Sequence, residues 1–168
     1  LEASGKEDDR EAYQRRRILE LNSFALRFYR QQLKSPETGT AAQEYLKKRG
    51  MHPATEAHFS LGLAVDSFST FKDAALKEGF REGELIASGL VRQGEKNIYD
   101  FFRNRLIIPI RDISGNAVAF GGRDLGDSPA KYINSPETSV YKKSRTLYGL
   151  FEAREAITRE KTAILVEG

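Results

Sequence analysis

The sequence predicts an α+β fold: a helical N-terminal region, then a small mixed or antiparallel sheet with irregular basic loops, then a helix and a strand. Three observations indicate this class. Apolar residues recur at helical spacing in the first half of the chain, and paired strand-like runs with glycine-containing turns follow residue 89. Residues 146–168 combine a helical stretch with a short apolar run, which is half of an α/β unit.

Residues 1–10 are polar and charged, so we predict a linker there and no signal peptide. A helix is expected over residues 11–33, ending at Ser35-Pro36. Its apolar face is set by spacings of three and four residues. The residues on this face are Ile18, Leu21, Ala25 and Phe28.

Four shorter helices are predicted before the sheet. One spans 41–48 and stops at Gly50, and another begins at Pro53. The other two span 70–78 and 82–87, each followed closely by glycine. The apolar, glycine-interrupted run over residues 59–65 fits either a helix or a strand.

Two β-hairpins are predicted after these helices. Residues 90–93 and 97–101 form the first pair, and residues 106–111 and 117–120 form the second, with Gly115 in its turn. After them we predict a helix over 147–160 and a strand over 162–166.

Composition limits the functional classes. The chain has 168 residues, 39% of them hydrophobic and 30% charged, and contains no cysteine, which excludes disulfides and cysteine-ligated zinc within it. It has no apolar run of the roughly 18 residues that a membrane span needs. The first residue is Leu rather than Met, so we expect an internal piece of a longer protein, and the absence of cysteine fits a cytoplasmic one.

The basic charge is concentrated in one segment. Residues 1–91 are neutral overall, residues 92–145 carry a net +4 and residues 146–168 a net −1. Polyanion binding is one interpretation of the basic segment, and an ordinary solvated surface is the other.

Arg103 and Arg105 are two residues apart, so on a strand they would share one face and could contact phosphates together. The neighbouring rings of Tyr99, Phe101 and Phe102 could stack on bases. The alternative is a solvent-facing arginine pair beside core aromatics.

Further candidates follow in the basic segment. The pair Gly121-Gly122 before Arg123 would let backbone N–H groups approach a phosphate, although Gly-Gly is also a common turn. Ser135 and Pro136 would cap and start a helix whose free N–H groups favour anions. The alternative for this region is a basic surface loop. Glu167 ends the last predicted strand and could be a metal ligand or a base, or simply an exposed residue.

Several of these motifs, taken in order, resemble those of the bacterial DNA primase (DnaG-type) family. They include the run Arg103–Asp112, Phe120-Gly121-Gly122-Arg123, the run Lys131–Thr138 and Leu147-Tyr148-Gly149-Leu150. Residues 45–50, Tyr-Leu-Lys-Lys-Arg-Gly, resemble a motif near the start of the catalytic core. Val166-Glu167-Gly168 resembles the opening of the family's metal-binding Toprim module. Phe101 departs from the pattern, since a basic residue is frequent there.

The resemblance implies a primase core in which residues 11–145 form a basic N-terminal subdomain and residues 146–168 begin a truncated Toprim subdomain. It assigns template contact to Arg103 and Arg105, with Arg123 and Asn134 also facing nucleic acid. It assigns the incoming nucleotide to Arg49, Arg123, Lys131 and Lys143. Glu167 becomes the metal-linked catalytic carboxylate, and Lys131, Tyr132 and Lys143 join it as catalytic residues.

The resemblance also implies partners and cofactors for the whole protein. These are a single-stranded DNA template, ribonucleoside triphosphates, the RNA primer, and a replicative helicase bound through a C-terminal domain absent from this chain. Mg²⁺ or Mn²⁺ would serve catalysis, and zinc would lie in another absent domain. Two alternatives stay open: a non-catalytic single-stranded-DNA-binding module and a Toprim relative such as a topoisomerase. The histidines, His52 and His58, lack ligand spacing and are expected to be structural.

Overall fold

The computed structural model describes the backbone of residues 2–167 and the side chains of residues 7–167. Five helices and one short strand precede the hairpins, and one helix follows them. The helices are α1 (Glu2–Lys34), α2 (Thr40–Lys48), α3 (Pro53–Phe59), α4 (Thr70–Lys77), α5 (Glu82–Ala87) and α6 (Leu150–Glu160). The strands are β1 (Gly62–Ala64), β2 (Val91–Gln93), β3 (Ile98–Asp100), β4 (Arg105–Arg111), β5 (Ala117–Asp124) and β6 (Tyr132–Asn134).

The predicted apolar face of α1 is its buried face. Ile18, Leu21 and Ala25 are buried and Phe28 is half-buried, while Tyr29 and Leu33 extend the buried stripe. Gly62 allows a close crossing with β1, because a Cβ there would lie 2.6 Å from the Tyr29 Cβ. The long helix α1 therefore packs directly on the backbone of β1 at Gly62, which has no side chain.

The helix begins earlier than the sequence predicts. The expected linker is wrong for residues 2–10, which are helical; Leu1 lies outside the described residues. Glu, Ala, Arg and Gln predominate from residue 7 to residue 17, and no proline interrupts them, so backbone hydrogen bonding continues without burial.

The sheet is antiparallel and has the order β1-β4-β5-β6, and β2 and β3 form a separate hairpin. Both predicted hairpins are confirmed, and the ambiguous run before α4 contains β1. β5 extends past its predicted end at Phe120 to Asp124, because β6 pairs with its second half. The α+β class is thus confirmed.

The C-terminal prediction is correct for the helix and wrong for the strand. α6 forms, but residues 162–166 have no regular structure and are exposed. A strand needs a neighbour to pair its N–H and C=O groups, and no described strand lies beside this segment. In the described part of the chain, no helix is both long and apolar enough to cross a membrane.

Candidate nucleic-acid interface

A cavity of about 360 Å³ brings three of the predicted site residues together. Arg49 reaches it from the end of α2, Arg123 from β5 and Tyr132 from β6. The rest of its wall is largely aromatic and aliphatic, formed by Tyr45, Leu46, Met51, Thr55, Phe59, Leu61, Leu106, Ile108 and Tyr148. Two arginines at an aromatic wall suit a ligand that carries both phosphates and a ring system.

Strand register explains why these residues share one face. Arg123 pairs with Tyr132 across β5 and β6, and Gly121 pairs with Asn134. Residues directly opposite one another in antiparallel strands point to the same side of the sheet. Arg123, Tyr132 and Asn134 therefore line one face, as their predicted common role requires.

The guanidinium of Arg123 lies close to two aromatic rings. Its central carbon lies 5.0 Å from the ring centroid of Tyr45 and 5.6 Å from that of Tyr132. Its Nη1 donates to the Asp124 carbonyl at 2.8 Å, while its buried Nε has no hydrogen-bond partner among the described residues. Tyr45 was not among the predicted site residues, although it opens the motif that contains Arg49.

Two predicted anion sites are not formed as expected. Gly121 and Gly122 lie inside β5, where both flanking strands pair with them, so they make no phosphate-binding turn. Ser135 does not cap a helix: its backbone N–H donates to the Phe120 carbonyl, and its Oγ accepts from the Phe120 N–H at 3.0 Å. Ser135 thus prolongs the strand ladder, and the chain then continues through Pro136 without regular structure, so no helix begins there.

The two lysines predicted as site residues, Lys131 and Lys143, lie in different regions. Lys131 is exposed immediately before β6, next to Tyr132 at the first cavity. Lys143 lies in a 3-10 turn, where its backbone N–H donates to the Glu137 carboxylate at 2.8 Å, and it is outside the set of described residues that line the first cavity. Its neighbours Lys142 and Arg145 line a second cavity of about 540 Å³.

The predicted arginine pair on one strand face is wrong. β4 begins only at Arg105, so Arg103 lies in the preceding loop. Asn104 between them has φ 48°, a left-handed conformation that turns the chain. Arg103 faces aromatic rings, whereas Arg105 is only 7% exposed and bonds to backbone carbonyls.

The surface around Arg103 contains a residue that sequence reasoning missed. Its guanidinium carbon lies 4.3 Å from the ring centroid of Phe68 and 5.5 Å from that of Tyr99. Phe68 is 64% exposed, which is unusual for phenylalanine. We call Phe68, Tyr99 and Arg103 the aromatic platform. Of the other predicted stacking rings, Phe102 is 1% exposed and belongs to the core, so that prediction is wrong.

Asp100 holds the platform in place. Its backbone N–H donates to the Phe68 carbonyl at 2.8 Å, and its own carbonyl accepts from Arg103 Nη1 at 2.5 Å. Its carboxylate accepts from the N–H groups of Phe71 and Lys72 at the start of α4. Burial nevertheless raises the pKa of Asp100, because those two bonds offset the desolvation only in part.

The last candidate, Glu167, is exposed in the irregular C-terminal segment. Among the described residues, no group of three or more His, Asp or Glu side chains could hold a metal ion. His52 accepts the Ala54 N–H at the start of α3, which is a structural capping role.

Residues 28–154 match the family described as DNA primase catalytic core, N-terminal domain. The DNA primase of Halalkalibacterium halodurans is 39% identical over 153 residues, which cover 90% of this chain and 26% of that protein. The chain therefore spans about a quarter of the length of the curated relatives it matches.

Two solved structures have the same fold. One is the RNA polymerase domain of Mycobacterium tuberculosis primase in complex with double-stranded DNA, with a TM-score of 0.84 and 39% identity over 90% of this chain and 49% of that one. The other is the DnaG primase catalytic domain bound to single-stranded DNA, with a TM-score of 0.78 and 39% identity over 86% of this chain and 47% of that one.

Proposed function

The chain belongs to the family of the DNA primase catalytic core, N-terminal domain, and from this premise we propose that it binds template and nucleotide in a primer-synthesising enzyme. The whole protein would be a DNA-directed RNA polymerase that makes short RNA primers on single-stranded DNA. This chain would supply the basic N-terminal subdomain of its catalytic core, over residues 11–145, and residues 146–168 would begin the Toprim subdomain.

The observation that carries the nucleotide role is the convergence of Arg49, Arg123 and Tyr132 on one cavity. Arg49 and Arg123 supply guanidinium donors that match phosphate oxygens. Lys131 projects beside Tyr132 and adds a mobile cation for the same triphosphate. Asn134, on the same sheet face, is a donor and acceptor for the nucleic-acid strand. Lys143 is proposed to contact nucleotide from its separate turn.

The template role rests on the aromatic platform. Phe68 and Tyr99 offer faces on which bases stack without sequence preference, and Arg103 supplies the cation for a phosphate. Double- and single-stranded DNA in the two similar structures supports a DNA ligand for this chain.

The described residues do not form a complete divalent-metal site, since magnesium needs near-octahedral oxygen ligands and no three His, Asp or Glu side chains among them are placed to hold an ion together. Glu167 is the carboxylate that the family resemblance assigns to metal and catalysis. We propose that it serves only together with carboxylates elsewhere in the whole protein, with Mg²⁺ or Mn²⁺. A zinc-binding domain would likewise lie outside this chain.

The remaining partners follow from the same proposal. They are ribonucleoside triphosphates, the RNA primer and a replicative helicase bound through another domain. The place of action would be the cytoplasmic replication fork.

Primer synthesis by the whole protein tests the nucleotide role. Arg123→Ala should reduce ribonucleotide incorporation on single-stranded DNA at least about tenfold, because a charged hydrogen-bonding group is worth roughly 1.5–3 kcal/mol. Arg159→Ala is the matched control, since that arginine is exposed on α6 and pairs only locally with Glu160. Equal activity of the Arg123 variant and the control would refute the nucleotide site.

A non-catalytic single-stranded-DNA-binding module is the second candidate for the isolated chain. It is favoured by two observations: Phe68 of the platform is exposed, and no group of three or more His, Asp or Glu side chains among the described residues could hold a metal ion. Binding of DNA by the chain with no retention of ribonucleoside triphosphate would support this candidate over the first.

A further inference from the structure

Arg105 is the most enclosed cation near the proposed nucleotide site. Its Nη1 lies 2.9 Å from the Ala130 carbonyl oxygen, 3.3 Å from that of Lys131 and 3.2 Å from that of Gly122. Its Nη2 donates to Ser128 Oγ at 3.2 Å. Most of these acceptors belong to residues 125–131, which we call the β5–β6 loop.

The same loop has a second buried polar anchor. The Asp124 carboxylate accepts from the N–H groups of Gly126 at 3.1 Å and Ser128 at 2.9 Å. The Asp124 N–H donates to the Lys131 carbonyl at 2.7 Å. That carbonyl thus accepts from both Asp124 and Arg105, which fixes the backbone from which the Lys131 side chain projects.

Arg105 is held by carbonyl dipoles rather than by a counter-ion. Among the described residues, no carboxylate oxygen lies within 4.0 Å of its guanidinium nitrogens. The three carbonyl oxygens share Nη1, and Ser128 Oγ is reached by Nη2, so the two arms of the guanidinium bond in two places at once, whereas a lysine ammonium has a single nitrogen. The absence of a side chain at Gly122 provides the space for the Arg105 side chain, since a Cβ there would lie 3.0 Å from the Arg105 Cδ.

We propose that Arg105 is a positioning residue for nucleotide binding and makes no contact with template. It orders the β5–β6 loop, which ends at Lys131 directly before Tyr132 in the wall of the Arg123 cavity. This inference rests on the proposed function and replaces the template role that the sequence assigned to Arg105.

The backbone conformation of Asn104 explains why Arg103 and Arg105 face different surfaces. Its left-handed conformation directs Arg103 to the aromatic platform and Arg105 to the loop. Its carbonyl also accepts the Leu125 N–H at 3.0 Å, at the start of the loop. The three consecutive residues therefore join the proposed template surface to the proposed nucleotide loop.

The test compares Arg105→Ala, Arg105→Lys and Ser128→Ala with the wild type. In this chain, amide hydrogen exchange at Gly126 and Ser128 should accelerate about tenfold in both Arg105 variants, and less in Ser128→Ala. The salt dependence of single-stranded DNA binding should stay unchanged, whereas loss of a phosphate contact would lower its slope by about 0.7. In the whole protein, the KM for ribonucleotide should rise about tenfold and the KM for template should not.

Unchanged amide exchange at Gly126 and Ser128 in the Arg105 variants, or a fall of about 0.7 in the salt slope of DNA binding, would overturn the proposal. If Arg105→Ala fails to fold, Arg105→Lys gives the same measurements, and Ser128→Ala gives them with a smaller change. If the loop loosens in the Arg105 variants while Lys131→Ala leaves the nucleotide KM unchanged, the proposed nucleotide role of the loop is wrong, but the positioning of the loop by Arg105 stands.

Discussion

Arg123 and Tyr132 face each other across two strands, with the guanidinium carbon 5.6 Å from the ring centroid. Tyr132 is 63% exposed, and the ring centroid of Tyr45 lies 5.0 Å from the same guanidinium carbon. Tyr45, Arg123 and Tyr132 all line the cavity that Arg49 also lines. A ligand in the cavity would therefore meet an arginine that already has two aromatic neighbours.

The first prediction is that Arg123 and Tyr132 act as a coupled pair in nucleotide binding. A double-mutant cycle with Arg123→Ala and Tyr132→Ala, measured by titration with ribonucleoside triphosphate in the whole protein, should give a coupling of about 0.5–1 kcal/mol, the value of an exposed cation–π contact. Tyr132→Phe should retain most of it, because the ring face remains. Additive effects would show that the two residues bind independently.

The second prediction separates stacking from charge on the aromatic platform. Phe68→Ala should weaken single-stranded DNA binding by about 1–3 kcal/mol and leave the salt slope unchanged, because an uncharged ring releases no counter-ions. Arg103→Ala should weaken binding and lower the slope by about 0.7. Fluorescence anisotropy over a range of salt concentrations measures both quantities.

Arg159→Ala, on exposed α6, is the matched control for loss of one positive charge. If it changes the slope as much as Arg103→Ala does, the effect is the net charge of the chain and not a contact at the platform. Binding that is unchanged by Phe68→Ala would exclude base stacking at this position.

The sequence predicted the elements better than the directions of side chains. Residue periodicity located the buried face of α1 and both hairpins, because those patterns report burial directly. The period-two argument for Arg103 and Arg105 failed because it holds only inside a strand, and Asn104 adopts a left-handed conformation just before β4 begins. Neither the turn at Asn104 nor the start of β4 is marked by glycine or proline.

The candidate site could be predicted only in part. Arg49, Arg123 and Tyr132 came from motif resemblance, and tertiary contact brings them together. Phe68 had no signal, because a phenylalanine between two serines looks like any loop residue. Its significance comes from its exposure and from the guanidinium that Arg103 places over its ring, 35 residues later.

The third prediction concerns pH and the packing of α1 on α5. Arg17 Nε donates to Glu84 at 2.7 Å, and this bond holds the pKa of Glu84 below its ordinary value of 4.5. Because the folded-state pKa is depressed, the ion pair stabilises the fold above about pH 4.5, and that contribution is lost as the pH falls through the folded-state pKa. Glu84→Gln should therefore cost about 1 kcal/mol at neutral pH and progressively less below pH 4.5.

Urea unfolding at several pH values measures this difference. Glu155→Gln is the control, because Glu155 is mostly exposed and its pair with Arg154 spans 3.5 Å. A cost for Glu84→Gln that does not change between neutral and acidic pH would contradict the assignment to charge.

The fourth prediction is that Lys131 acts on nucleotide and not on template. In the whole protein, Lys131→Ala should reduce primer synthesis at least about tenfold, since a charged donor to phosphate contributes roughly 1.5–3 kcal/mol. Binding of single-stranded DNA should change by less than about twofold, because the platform around Phe68 is left intact. Equal losses in the two assays would make Lys131 a contact to the DNA backbone.

The last prediction is that the 168-residue chain has no tight divalent-metal site and no primer-synthesis activity by itself. Glu167 is an exposed carboxylate in an irregular segment, and it belongs to no group of three or more acidic or histidine side chains, among the described residues, that could hold a metal ion. Phosphoryl transfer assisted by two ions needs several carboxylates held at fixed positions. Isothermal titration with Mg²⁺ or Mn²⁺ should therefore show no tight binding, and Glu167→Gln should give the same titration as the wild type.

In the whole protein, Glu167→Gln should abolish primer synthesis while template binding is retained. Primer synthesis by the 168-residue chain would place the catalytic metals within it and overturn the assignment of Glu167.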